Sequence, residues 1–200
     1  ARAPSPVREP ARMSTPIFVR LGLWTWFLAA IAAAHQGWLR PLLGPALPAL
    51  SATLAAGAVV LYFRVRPLRA WADALDARAL VLIHAARAYG AYFLVLGQRG
   101  EIAPNLALTG GWGEIVVAAL ALPAALLPLK PALRRSVLAT WNVIGAVGLV
   151  MLLLSIGRVG STMSLYLLPF ADLPMGLLTA FLFPLLRASH VVLHLRLSRV

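Results

Sequence analysis

Six apolar runs divide this chain, and its basic residues crowd every second gap between them while nearly vacating the others. Lys and Arg are held back from translocation across a bilayer, so the crowded gaps read as cytoplasmic loops. The N-terminal segment carries Arg2, Arg8, Arg12 and Arg20, the second loop Arg64, Arg66, Arg69 and Arg78, the fourth Lys130, Arg134 and Arg135, and the tail Arg196 and Arg199. The first, third and fifth loops hold only Arg40, Arg99 and Arg158. The expected fold is therefore an all-α, polytopic membrane bundle of six transmembrane helices with both ends cytoplasmic.

Composition agrees. With 61% hydrophobic and 12% charged residues in 200, a water-soluble domain would lack the polar surface to cover itself. Six spans of about 20 residues fill most of the length and leave no room for a soluble domain. A net charge of +12 raises the question of nucleic acid. That function needs a contiguous basic patch on a soluble face, whereas here the charge sits at loop ends, where it orients helices and meets anionic lipid. No nucleic-acid partner is expected. The chain has no Cys, so disulfides and thiolate chemistry are excluded.

The expected spans are 17–35, 42–63, 79–97, 114–129, 136–157 and 176–195, helical because hydrocarbon offers no partner to an open strand edge. Residues 1–15 are expected to form a flexible basic arm, of which residues 1–12 are native or the remnant of a tag. Arg20 with Leu21 to Ala34 has the make-up of a signal peptide but is read as the first span. Pro45, Pro48, Pro123 and Pro184 fall inside runs and should kink helices unless neighbours satisfy the freed carbonyls. Small residues such as Gly90, Ala91, Gly145 and Gly148 predict close helix packing. Arg64–Arg78 places Leu68, Trp71 and Leu75 at helical spacing among charges and should lie on the inner interface. Gln98–Gly113 and Arg158–Met175 read as long outer loops. Trp38 and Trp112 suit an outer aromatic belt, and Trp24, Trp26 and Trp141 an inner one.

Few polar residues interrupt the spans: His84 and Arg87 in the third, Asn142 in the fifth, and Arg187, His190 and His194 in the sixth. Intramembrane ionisable groups are costly and usually mark function. The third span runs outward and the sixth inward. At about 1.5 Å per residue, His84 and His190 each lie roughly 8 Å from the inner end, and Arg87 and Arg187 roughly 12 Å. If those faces meet, two imidazoles form one layer and two guanidiniums the next. Arg187, His190 and His194 share one helix face by their spacing.

Two readings of this set stand open. In the first, the histidines are hydrogen-bonded interhelical glue, with Asn142 among their partners, and both arginines snorkel to the headgroups. In the second, they hold a cofactor. The acids Glu9, Asp73 and Asp76 are placed at the inner side and Glu101, Glu114 and Asp172 at or beyond the outer edge, so no carboxylate shares the arginines' level. A lipid phosphate, a partner's carboxylate or haem propionates would then supply the counter-charge. Two imidazoles from facing helices are also what a six-coordinate haem b requires, and one imidazole suffices for a chlorophyll magnesium. A zinc or di-iron site is the weaker expectation, because His190 and His194 give only two ligands on one face.

Enzyme classes fail on residue content: there is no acidic cluster for a metal and no Gly-x-Ser-x-Gly, His-Glu-x-x-His or Walker sequence. Transport of a small anion or lipid stays open, although an inverted repeat would send the second His–Arg set to the opposite leaflet.

The stretch Gly111-Trp112-Gly113-Glu114-Ile115, with Trp141-Asn142-Val143-Ile144-Gly145 and a His-containing last helix, resembles small bacterial multipass membrane proteins without assigned function. In those the first motif reads Gly-Asp rather than Gly-Glu, and an Asp commonly follows Trp-Asn where this chain has Gly145, Ala146 and Val147. The resemblance covers the C-terminal two thirds and implies an all-helical fold in a bacterial inner membrane, with no activity attached. The expected function is a non-catalytic membrane subunit or scaffold that meets other membrane subunits. A haem- or chlorophyll-binding electron carrier and a small-anion or lipid transporter are the alternatives.

Overall fold

The computed structural model describes residues 15–199. The expected basic arm over residues 1–15 lies outside that range apart from Thr15. Six helices long and apolar enough to cross a membrane are present among the described residues: α1 Ile17–His35, α2 Ala46–Arg64, α4 Ala77–Gln98, α5 Leu106–Leu126, α6 Pro131–Thr162 and α7 Met175–Ser198. A short amphipathic helix, α3 Arg66–Ala74, joins α2 to α4.

The spans alternate in direction. Ala34 near the end of α1 meets Gly176 at the start of α7, and Tyr62 at the end of α2 meets Arg199 just past the end of α7. Residues of α4 pair with α5 and α7 in antiparallel order, Gly90 against Gly111 and Tyr89 against Phe183. The start of α1 and the end of α7 therefore share one face of the bundle.

Three sequence expectations need correction. The fourth span begins at Leu106 rather than Glu114, because Gly110, Gly111 and Gly113, which read as loop, are helical positions. The stretch Gln98–Gly113 is thus mostly helix. The fifth span reaches from Pro131 to Thr162, so the other long outer segment, Arg158–Met175, begins as helix and continues as two tight turns, Ser164–Leu167 and Leu168–Ala171. The aromatic belt loses Trp141, which is buried in the core, and Trp26, whose indole N–H donates to the carbonyl of Ala180 at 2.8 Å.

That last bond answers a proline. Pro184 has no N–H for the carbonyl four residues back, which belongs to Ala180, and Trp26 of the neighbouring helix supplies the missing donor. The helix also widens to a π turn over Leu178–Leu182 just before Pro184. Pro45 and Pro48 sit at the start of α2, where no intrahelical donor is needed. Pro184 and Pro123 are thus the two expected breakers that lie inside helices, Pro123 in the last turn of α5.

At one end of the bundle, α1 and α4 end alike. Gly37 (φ 71°) and Gly100 (φ 70°) adopt the left-handed conformation, and the N–H groups of Trp38 and Glu101 reach back to Ala33 and Leu96. This is the Schellman stop, and glycine meets its φ at least cost. Arg40 and Asp172 then tie the α1–α2 turn to the turn before α7 with bonds of 2.8 and 3.1 Å. At the opposite end Asp73 of α3 accepts from Tyr62 at 2.7 Å and from Arg199 at 3.0 Å. Burial pushes the Asp73 carboxyl up, but those hydrogen bonds and the charges of Arg199 and Arg69 outweigh it and hold the group below its ordinary value.

Apolar packing falls into two halves. The half toward the Arg40–Asp172 end is built on Phe93, Phe170, Phe183, Leu149, Leu152 and Leu167. The half toward the Asp73–Arg199 end is built on Val81, Val117, Ala121, Leu138, Trp141 and Leu193. A polar layer lies between them. Large apolar side chains on the outside, such as Leu21, Trp24 and Leu28 on α1 and Val147, Met151 and Leu154 on α6, are exposed as a hydrocarbon solvent allows.

Close approach of α4 and α5 depends on Gly90. A Cβ there would collide with the backbone carbonyl of Gly111 and stand 2.9 Å from the Cβ of Glu114 and 3.2 Å from the backbone nitrogen of Ile115. Backbone cannot move aside cheaply, so Gly90→Ala is expected to lower stability by about 1–3 kcal/mol in a denaturation assay. Gly57→Ala, where nothing lies within 4 Å, is expected to be neutral or slightly stabilising.

Candidate functional site

The polar layer is assembled by departures from α-helical winding. Ile83–Tyr89 in α4 is wound as a 3₁₀ helix, in which residues three apart eclipse one another. His84 and Arg87 therefore point the same way, one above the other, where an α-helix would fan them apart. Both are fully buried, at 0% exposure. Neither α5 nor α7 is regular near its contribution. Leu106–Gly110 precedes Glu114 as a π turn, and Leu178–Leu182 precedes Arg187. Such turns recur at functional positions in helices.

Arg87 and Glu114 form the centre. Arg87 donates from Nε to Oε2 at 2.8 Å and from Nη2 to Oε1 at 2.6 Å, a two-pronged pairing of fork with carboxylate. The Tyr89 hydroxyl donates to Oε2 as well. The remaining Arg87 nitrogen, Nη1, donates to the carbonyl of Gly145 at 3.0 Å and stands 3.4 Å from Nε2 of His190. Glu114 is 2% exposed. Here the expectation that no carboxylate shares the arginine's level is wrong. The counter-charge of Arg87 is encoded in the chain, and the shifted start of the fourth span is what hid it. Arg87 also does not snorkel, because its whole fork is consumed inside the bundle.

The imidazoles stand next to this pair. The rings of His84 and His190 are 4.2 Å apart between centroids, and Trp141 lies against both, at 5.0 and 5.5 Å. Donors and acceptors fix their tautomers. Asn142 uses its amide N–H₂ on the carbonyl of His190 at 3.1 Å, which turns its Oδ1 toward Nδ1 of His190 at 2.8 Å. Nδ1 of His190 thus carries the proton and Nε2 faces Arg87 as an acceptor. Ser189 gives its hydroxyl proton to the carbonyl of Leu186 at 2.8 Å, so it accepts from Nε2–H of His84 at 2.9 Å. Nδ1 of His84 is left as a buried acceptor with no partner among the described residues.

The structure thus brings together His84, Arg87 and His190, joined by Tyr89, Glu114, Trp141, Asn142 and Ser189. Arg187 is half-buried and lies in the electrostatic neighbourhood of Tyr89, Glu114 and Arg87. It donates from Nη1 to the hydroxyl of Ser51 in α2 at 2.7 Å, with its guanidinium 5.5 Å from the ring centroid of Phe183. His194 does not join the cluster. It is exposed on α7, although its spacing had placed it on the face of Arg187 and His190. Arg187 is itself only half-buried, and His194, two turns along on nearly the same side of the helix, is exposed.

The residues do not fit a haem held between His84 and His190. A shared iron requires a porphyrin plane between the two rings, whereas here they are in direct contact and three of their four ring nitrogens are engaged with Ser189, Asn142 and Arg87. Nor does His194 come within a common ligand set. Among the described residues no group of three or more His, Cys, Asp and Glu side chains is placed to hold a metal ion.

The sequence signal for Tyr89, Ser189 and Ser51 was absent, because hydroxyls in a span read as neutral packing. Glu114 carried a signal in its charge, but its place was misjudged. What the arrangement does chemically is to satisfy charge in hydrocarbon and lock four helices in register. Glu114→Ala leaves the Arg87 guanidinium buried and unpaired and is expected to cost about 3–5 kcal/mol. In a double-mutant cycle, adding Arg87→Met to Glu114→Ala should recover much of that loss. Additive losses in the same denaturation assay would mean the two side chains are not coupled.

Comparison with curated proteins and with solved structures gives no match. Residues 44–198, which span α2 to α7 and take in every member of the cluster, match the family model described as Domain of unknown function (DUF8737), and the chain belongs to that family.

Proposed function

We propose that the chain is a non-catalytic integral subunit or scaffold of a larger membrane assembly, seated in a bacterial cytoplasmic membrane with both ends inside. The observation that carries this reading is how the buried polar side chains are used. Arg87 is matched by Glu114 and Tyr89, His190 by Asn142, and His84 by Ser189. Groups of the kind that acid–base or ligand chemistry recruits are here spent on holding α4, α5, α6 and α7 together. The outer flanks of α1 and α6 offer continuous apolar surface for neighbouring spans or lipid.

The orientation rests on the basic residues. The α2–α4 segment, the α5–α6 turn and the end of α7 carry Arg64, Arg66, Arg69, Arg78, Lys130, Arg134, Arg135, Arg196 and Arg199 on one face of the bundle. The opposite face has Arg40, Arg99 and Arg158. The crowded face is the cytoplasmic one by the positive-inside rule and meets anionic lipid there.

A chain without Cys is suited to single-cysteine labelling. A Cys placed at Gly100 is expected to react with an impermeant maleimide on intact cells, and one at Asp76 or Ser198 only after permeabilisation. Labelling of Gly100 and Asp76 from the same side would overturn the threading. Cross-linking in native membranes, followed by mild-detergent purification, should give adducts with other membrane polypeptides in fixed ratio. A monomer free of such adducts overturns the subunit reading.

A further inference from the structure

Two arginines occupy the polar layer, and they are not equally provided for. Arg87 presents Nε and Nη2, the two parallel donors on one edge of its guanidinium, to the two oxygens of Glu114. In Arg187 the same two atoms, Nε and Nη2, are shielded from solvent and find no acceptor among the described residues. Its third nitrogen is spent on the neutral hydroxyl of Ser51, and its face lies over Phe183.

The acids leave Arg187 without a carboxylate of its own. Glu114 is taken in both oxygens by Arg87 and Tyr89. Asp73 is held by Tyr62 and Arg199, Asp172 by Arg40, and Asp76 by the N–H of Arg78 at the start of α4. Glu101 pairs with Arg99 at 3.8 Å on the outer rim. Glu9 lies outside the described residues. Within the layer, then, two guanidinium charges face one carboxylate.

Its place points the same way. Arg187 is near the midpoint of α7, and its side chain slants toward the helix N-terminus, as helical side chains do. It reaches Ser51 roughly 8 Å below the outer end of α2. The residue as a whole is half-buried, but Nε and Nη2 themselves touch no solvent, so an anion reaches this edge only by displacing the side chains that cover it.

We propose that the Nε–Nη2 edge of Arg187, beside the hydroxyl of Ser51, is a binding site for a two-oxygen anion, a carboxylate or a phosphate, borne by a lipid or free in solution. The fork geometry is the recognition element, because a planar pair of parallel donors matches two oxygens on one atom and a point charge does not. Arg87 and Glu114 show the same recognition completed a few residues away. The site does not depend on the chain being a subunit of an assembly, and its test is separate from the search for partner polypeptides.

The test uses the full chain in nanodiscs of phosphatidylcholine, which supply no net negative lipid. Acetate, inorganic phosphate, oleate and phosphatidic acid are titrated in turn, with thermal unfolding and native mass spectrometry as readouts. At least one probe is expected to raise the melting temperature of the wild type and to appear as a bound adduct. Arg187→Lys keeps the charge and loses the fork, and is expected to weaken binding at least tenfold. Arg187→Met is expected to abolish it while melting, without any probe, at or above the wild-type temperature, since a cation with no acceptor has been removed. A response to oleate or phosphatidic acid alone assigns the anion to a lipid, and a response to acetate or phosphate assigns it to the free ion. The proposal is overturned if no probe acts, or if the shift survives in Arg187→Met and so belongs to the basic rim. It is equally overturned if Arg187→Met destabilises the chain as much as Glu114→Ala, because the guanidinium would then be partnered within the protein.

Discussion

The pairing of Arg87 with Glu114 at the middle of the bundle is the interaction on which the rest of the structure depends. Hydrocarbon gives helices no hydrophobic reason to associate, so packing and polar contacts must do it. A guanidinium and a carboxylate that meet at 2.6 and 2.8 Å convert two costly intruders into one neutral unit. That geometry is reached only because Gly90 and Gly111 let α4 and α5 touch backbone to backbone. Gly145 does the same on α6. A Cβ there would lie 2.6 Å from the His190 ring and 3.2 Å from Nη1 of Arg87, so the glycine makes room for both side chains and offers its carbonyl to the arginine.

Helix irregularity follows from the same demand. A 3₁₀ stretch of seven residues is longer than such stretches usually run, because its hydrogen bonds are poorer. Here it aligns His84 with Arg87 and directs both at α6 and α7, so one segment supplies a ring to the inner level and a charge to the outer one. The π turn before Pro184 and the indole of Trp26 form a second such device. A proline frees a carbonyl, and the neighbouring helix that satisfies it is thereby fastened in place. Most of α1 is otherwise loosely held, with Leu21, Trp24 and Leu28 all exposed.

Depth arithmetic carried much of the site. Equal distances from the inner ends of two antiparallel spans put His84 level with His190, and their rings do meet. Asn142 was legible as a polar residue with nowhere else to turn, and it bonds His190 through both side chain and backbone. The reading failed at Glu114 because glycines beside a charge look like a loop, while in a crowded bundle they are the contact surface itself. It failed at His194 because sharing a side of α7 with Arg187 does not bury a residue when Arg187 is itself only half-buried. It could not find Tyr89, Ser51 or Ser189, since a hydroxyl in an apolar run has no pattern of its own.

Charge distribution and apolar run length are properties of the chain taken one segment at a time. They determined the number of spans, their alternation and the face on which basic residues gather, because the exclusion of charge from hydrocarbon acts on each segment alone. Which buried charge finds a partner is a property of pairs of segments. It was decided only when α4 met α5 closely enough for Glu114 to fill both prongs of Arg87, leaving Arg187 to a neutral hydroxyl. A fork and a carboxylate pair only when their atoms come within about 3 Å in the right orientation, and no spacing along a single sequence contains that geometry.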